Sequence, residues 1–247
     1  LFRSTESSAR KTIAEISRTD MDFLLDHEGK ARYAFGQNDE LEYELYRNDG
    51  DDWVQLDTDQ VGDIVPAAFM PDNQRVIAYY AEDDGPSRVV LQNADGSERT
   101  TLAIDATFAP DNLMWDIGGN FPFGAVYVTD APHYVYFSKG SPGAAIHQAM
   151  APKFPGKKVS ILNASRDGKR ILIGVSDDRS PGSYYLLDLD KHTLAKLFDV
   201  APWIDEEKMA HRRQFQFETS DGQQLYGYLT LPAGRNEKNL PTILLPH

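Results

Sequence analysis

The sequence predicts an all-β fold: a partial β-propeller of about four blades over residues 1–200, a linker over 201–214, and the first strands of an α/β domain over 215–247. Three observations predict it. A turn-plus-strand motif recurs at a step of about 44 residues. Each recurrence is followed by further short strands. Near residue 200 the pattern gives way to a charged stretch and then to an almost wholly apolar run.

The motif stands in Leu24–Gly36 (LLDHEGKARYAFG), Phe69–Tyr80 (FMPDNQRVIAYY) and Asn163–Ser176 (NASRDGKRILIGVS). Glu28 to Asp72 is 44 residues and Asp72 to Asp167 is 95, close to two such steps, and the weaker stretch Leu113–Asp130 falls between them. A second strand follows in each unit: Glu44–Asn48, Arg88–Asn93, His133–Ser138 and Tyr184–Asp190. In three units a tight turn (Asn48-Asp49-Gly50, Asn93 to Gly96, Asp190 to Thr193) leads to an outer strand, Trp53–Leu56, Thr100–Ile104 or Leu194–Phe198. Asn, Asp and Gly supply the positive φ angles such turns need. Four short strands per 40 to 50 residues is the mark of a propeller blade, and a β-sandwich with accidental similarity is the alternative.

In the third unit Ser141–Gly156 (SPGAAIHQAMAPKFPG) replaces the outer strand or follows it. Ile146, Ala149 and Met150 fall at helical spacing, so one short helix is expected before Pro152, with Ile146 and Met150 as packing residues. Thr12–Asp20 (TIAEISRTD) reads as the last strand of a blade begun upstream. Four blades are fewer than propellers usually close with, so the polypeptide is expected to continue beyond both ends.

Asp199–Gln214 (DVAPWIDEEKMAHRRQ) is charged and predicts a linker with one or two helical turns from Asp205. In Phe215–Pro232 two alternating strands flank a Ser220-Asp221-Gly222 turn, a hairpin placed outside the propeller. Thr242–Leu245 is nearly all apolar and predicts a strand buried on both faces, as in a parallel sheet.

Ser220–Pro232 (SDGQQLYGYLTLP) followed by Asn239–His247 (NLPTILLPH) resembles the opening of the catalytic domain in the prolyl oligopeptidase family of serine peptidases. Phe154–Asp178 and Pro181–Asp190 are similar to the propellers of its bacterial members. The resemblance implies that 215–247 begins an α/β-hydrolase domain, and that a Ser-His-Asp triad for peptide hydrolysis lies downstream. It implies a propeller that caps the active site and admits short or unfolded peptides. It also places His247 beside the oxyanion hole, as in the acylaminoacyl-peptidase-like branch, where the amides of following glycines stabilise the oxyanion.

Within the chain itself no residue is assigned a catalytic role. A hydrolase elbow reads Gly-x-Ser-x-Gly. Ser87 follows Gly85 and Ser176 follows Gly174, but the second glycine is replaced by Val89 and Asp178. The six histidines (His27, His133, His147, His192, His211, His247) lack metal-binding spacing, and no metal or cofactor is expected. Asn48–Asp52 (NDGDD) lacks the closing Glu of a calcium loop, and Ser165–Gly168 (SRDG) lacks the aromatic closer of an Asp box. Asp83-Asp84 and Asp177-Asp178 read as solvated turns. Asp205-Glu206-Glu207 offers carboxylates either to a substrate amino terminus or, more simply, to a helix dipole.

With 41% hydrophobic and 11% aromatic residues the chain of 247 can build a core. A net charge of −13 disfavours nucleic acid and anionic membrane partners, and serves solubility or a mild attraction for cationic peptides. No stretch is long and apolar enough to span a bilayer. The absence of cysteine leaves the compartment open between cytoplasm and periplasm. The expected partners are a peptide substrate, the remainder of the same polypeptide and, through uncovered sheet edges, a second copy. The rival reading is a non-catalytic propeller that binds or scaffolds.

Overall fold

The computed structural model describes residues 2–3, 10–50, 52–82, 85–235 and 237–245. Phe2–Arg3 (β1) and Arg10–Lys11 (β2) pair antiparallel. Three four-stranded antiparallel meanders and one three-stranded sheet follow in chain order. The first sheet is Met21–Leu25 (β3), Ala31–Gln37 (β4), Tyr43–Asn48 (β5) and Trp53–Gln55 (β6). After a single helical turn, Thr58–Val61 (α1), the second is Asp63–Phe69 (β7), Arg75–Ala81 (β8), Arg88–Asn93 (β9) and Thr100–Ala103 (β10). The third is Asn112–Trp115 (β11), Pro122–Val128 (β12) and Pro132–Tyr136 (β13), followed by helix Pro142–Met150 (α2) where the other sheets place an outer strand. The fourth is Lys158–Ala164 (β14), Arg170–Ser176 (β15), Ser183–Asp188 (β16) and Thr193–Asp199 (β17). A separate two-stranded sheet pairs Arg212–Glu218 (β18) with Gln224–Thr230 (β19).

The recurring turn explains the repeat. The Asp72 carboxylate accepts the amides of Gln74 and Arg75 at 2.9 and 3.1 Å, and Asp167 accepts the amide of Lys169 at 3.1 Å. The first repeat departs from the expected alignment. Asp26, not Glu28, closes its turn, taking the amides of Glu28 and Lys30, each at 3.0 Å, and Arg32 Nη1 at 3.2 Å. Asp26 stands one position after β3, where it reaches both amides, whereas Glu28 points to solvent.

The chain forms two compact units. One holds residues up to Tyr127 with Tyr134–Ala144, the other Val128–His133 and residues from Ala145 onward. In the first unit, successive residues of β8 serve different cores because side chains alternate across a strand. Val76 and Ala78 pack with Tyr33 and Leu45 of the first sheet and Ile64, Phe69 and Val90 of the second. Ile77 faces the other way and packs with Val89, Leu113, Ala125 and Tyr127. Sheets stacked face to face in this manner are the propeller arrangement. In the second unit Val159, Ile171, Ile173, Val175 and Leu187 are buried in the fourth sheet.

Three expectations are corrected. Residues 12–20 form no strand; near β6 the Glu15 carbonyl accepts Trp53 Nε1 at 2.8 Å. Residues 242–245 form no strand either, and Ile243, Leu244 and Leu245 are 83–85% exposed. An apolar run becomes a buried strand only when a ladder and covering layers receive it, and no described segment pairs with this one. In α2 the expected helix forms and Met150 is buried as expected, but Ile146 is only half-buried and Ala149 exposed, whereas Gly143, Ala144 and His147 are buried. The buried face is one residue away from the one that apolarity marks, because His147 is accommodated by donating to a backbone carbonyl.

Candidate functional site

His247 lies outside the described residues, as do Asp83-Asp84 and Asp51 of the NDGDD stretch. Ser87 is half-buried just before β9, and Ser176 ends β15 opposite Lys158. Both serve strand termini. In the NDGDD turn Arg47 clasps Asp49 at 2.6 and 2.7 Å, and the Asn48 side chain accepts the Gly50 amide at 3.0 Å, so these groups close a turn. Ser165–Gly168 is likewise a turn, the Gly168 amide donating to the Ser165 carbonyl at 2.8 Å. Among the described residues no group of three or more His, Asp or Glu side chains is placed to hold a metal ion, and no helix is long and apolar enough to cross a membrane.

The first unit carries two open depressions. One is lined by Glu15, Arg18, Asp20, Met21 and Phe23, the other by Tyr43, Gln55, Asp57 and Thr58. In the first, Arg18 Nε donates to Glu44 at 3.2 Å and to the Tyr46 hydroxyl at 3.0 Å. The Tyr46 hydroxyl donates to Glu44 at 2.8 Å, and this bond leads in holding the Glu44 carboxyl below its ordinary value. The result is a carboxylate anion with its hydrogen-bond partners in place.

The densest polar constellation lies in the second unit, where the linker leaves the fourth sheet. Asp205 caps a single 3-10 turn, Glu206–Lys208, by accepting the Glu207 amide at 3.1 Å, and pairs with Lys208 at 2.9 Å. The Lys208 ammonium, ahead of the Glu207 amide, holds the Asp205 carboxyl below its usual value. The helix-cap reading of this acid therefore stands. Glu206 instead reaches Lys157 Nζ at 2.8 Å, and the same ammonium meets Asp177 at 3.1 Å. Burial opposes the charge on Lys157, but the bonds to Glu206 and Asp177 outweigh it and hold the ammonium above the ordinary lysine value.

The next acid along, Asp178, accepts the Arg212 amide at 2.6 Å and His211 Nδ1 at 3.3 Å. Arg179 donates Nε to the Glu206 carbonyl at 2.8 Å and Nη1 to His211 Nε2 at 3.1 Å. A guanidinium has no acceptor, so Nε2 keeps its lone pair and the proton sits on Nδ1, facing Asp178. Asp177-Asp178 is thus not a solvated turn but the anchor for the linker; their side chains are only 15% and 19% exposed. Asp130, on the loop after β12, accepts the Gln214 amide. Sequence reasoning missed Lys157, Arg179, His211 and Asp130. The polar run Asp199–Gln214 was the only signal, and a contact spanning 84 residues leaves none.

No family model and no curated protein matches the chain. Among solved structures it is similar to a puromycin hydrolase, with 14% identity and a TM-score of 0.53 over 92% of this chain and 36% of that one. It is also similar to a prolyl endopeptidase, one of two studied for inter-domain dynamics in catalysis and specificity, with 15% identity and a TM-score of 0.52 over 87% of this chain and 31% of that one. A puromycin hydrolase variant complexed with PGG gives 13% identity and a TM-score of 0.50 over 88% and 34%. The fold is a run of propeller blades followed by the first strands of an α/β-hydrolase domain. At these identities the likeness is one of fold, and the chain spans about a third of the length of the structures it matches.

Proposed function

We propose that the chain is the substrate-gating propeller portion of a serine peptidase of prolyl oligopeptidase type, which hydrolyses short peptides through a Ser-His-Asp triad carried elsewhere in the polypeptide. The observation that carries this reading is the order of parts. Four blade-type sheets and then a hairpin follow one another in a chain whose fold is similar to that of a puromycin hydrolase, and the hairpin coincides with the SDGQQLYGYLTLP stretch that resembles the family's catalytic opening. On this reading 1–200 is propeller, 201–214 linker and 215–247 the beginning of the hydrolase domain. His247 then adjoins the oxyanion hole in the manner of the acylaminoacyl-peptidase-like branch. Acyl transfer needs a nucleophile, a base and an orienting acid together, and no such set is assigned within this chain.

The test is covalent labelling with a fluorophosphonate, with hydrolysis of a panel of peptide chromogenic substrates alongside. The full polypeptide is expected to label and to cleave short peptides, and the 247-residue chain to do neither. Absence of both activities from the full polypeptide would leave the propeller as a binding module and end the peptidase reading.

A further inference from the structure

The first and second sheets meet across a seam that the two of them fill. Tyr33, Leu45, Val76 and Val90 are 0% exposed in the core they share, so no further part of the polypeptide can enter it. Apolar contact is non-directional. This seam carries directional bonds as well, at both of its ends.

At the turn end the His27 amide donates to Asn73 Oδ1 at 2.9 Å, and His27 Nε2 meets the Phe69 carbonyl at 3.0 Å. A carbonyl only accepts, so Nε2 carries the proton of that ring. Arg32 Nη1 donates to the Asn73 carbonyl at 3.2 Å, and its guanidinium lies over the Phe69 ring at 5.1 Å. The Tyr33 hydroxyl donates to the Ala94 carbonyl. At the other end of β4, where Gln37 pairs with Tyr43, the Tyr43 hydroxyl donates to the Ile64 carbonyl at 2.7 Å. Burial pushes both phenols above the ordinary tyrosine value, so both keep their protons and donate. Each of these donors belongs to the first sheet or its turn, and each acceptor to the second.

We propose that these bonds form a clasp at both ends of the seam, which keeps the first two sheets shut against each other so that they open to solvent as one body. In a protein built of similar sheets, a clasped seam directs any parting of neighbours to other seams. The inference needs only these two sheets, both four-stranded in this chain, and stands apart from the peptidase reading.

Thiol labelling in the full polypeptide, mapped to the labelled peptide, tests it, because β9 carries a matched pair of probe positions. Val90 and Val89 are adjacent and both 0% exposed, but Val90 faces the clasped core and Val89 the core shared with Leu113 and Ala125. Val90→Cys and Val89→Cys each place a thiol of similar size in one core, and volume-conserving changes are tolerated best. The clasp is removed with Tyr33→Phe, Tyr43→Phe and Asn73→Gly, which delete two hydroxyls and one side-chain acceptor. Glycine also accepts the φ of 56° at Asn73. One such bond corresponds to roughly a two- to tenfold change in an opening equilibrium. With the clasp intact, Val90→Cys is expected to label no faster than Val89→Cys. With all three changes, labelling at position 90 should rise by at least about tenfold and labelling at position 89 should not. Tyr43→Phe alone, which leaves the ring in place, should give about a two- to tenfold rise at position 90. Faster labelling at 90 than at 89 in the clasped protein would overturn the clasp, as would an unchanged rate at 90 in the variants. An equal rise at both positions would also overturn it, by showing that the bonds support the unit as a whole rather than the seam.

Discussion

At the scale of the residue, His147 is the clearest case of a side chain whose role depends on its surroundings. It is 1% exposed, and its Nε2 meets the Val159 carbonyl at 2.9 Å. Burial disfavours the imidazolium and outweighs the bond to Val159, so the folded-state pKa is lowered from the ordinary 6.5. The unfolded chain then takes up a proton before the folded one does. The stabilisation is fully present above pH 6.5 and is lost as pH falls towards the lowered folded value, at up to about 1.4 kcal/mol per pH unit. Denaturant unfolding between pH 7.5 and 5 should show this slope, and His147→Gln should flatten it. An unchanged slope in the variant would assign the acid sensitivity to other groups. The same helix shows a second residue-scale constraint. A Cβ on Gly143 would stand 2.5 Å from Asp116 Oδ1, the oxygen that receives the Gly143 amide at 2.6 Å, so only glycine permits this capping contact.

At the scale of the element, β8 shows how blade strands couple sheets. Val76 and Ile77 are adjacent and both about fully buried, yet they belong to separate cores. Truncating Ile77 to Ala should cost about 2–5 kcal/mol and act first on the core it shares with Leu113, Ala125 and Tyr127. Exchange measurements should find β12 loosened before β4, whereas Val76→Ala should loosen β4 first. The reverse order in either variant would contradict the division into two cores. Elements were also where sequence reading was strongest. The strands β4, β8 and β15 follow their turns as the repeat requires, because turn chemistry and period-two alternation are local properties. It was weakest where an element depends on neighbours, as at 12–20 and 242–245.

At the scale of the whole molecule, the described surface carries apolar residues that its own sheets do not cover. Leu162, Leu197 and Phe198 of the fourth sheet are 48–56% exposed, Trp203 of the linker is 80% exposed, and Phe23 and Val54 of the first sheet are 38% and 42% exposed. Each large apolar side chain left in water forgoes roughly 1.5–3 kcal/mol of burial, against a typical domain stability of about 5–15 kcal/mol. The 247-residue chain by itself is therefore expected to self-associate, with a sedimentation coefficient that rises with concentration despite its net charge of −13. A sharp, concentration-independent monomer with cooperative melting would show that the described sheets suffice alone.

The sequence by itself determined the number and order of the blade-type sheets, the helix in the third unit and the hairpin with its Asp221-Gly222 turn. Each of these is written in residues close together in the chain. Only the tertiary structure decided which acids matter: Asp26 rather than Glu28 in the first turn, Asp177-Asp178 as anchors rather than solvated loops, and Asp130 paired across 84 residues with Gln214. A carboxylate is polar in any context, and whether it meets water, an ammonium or an orphaned amide depends on which loops the fold brings together.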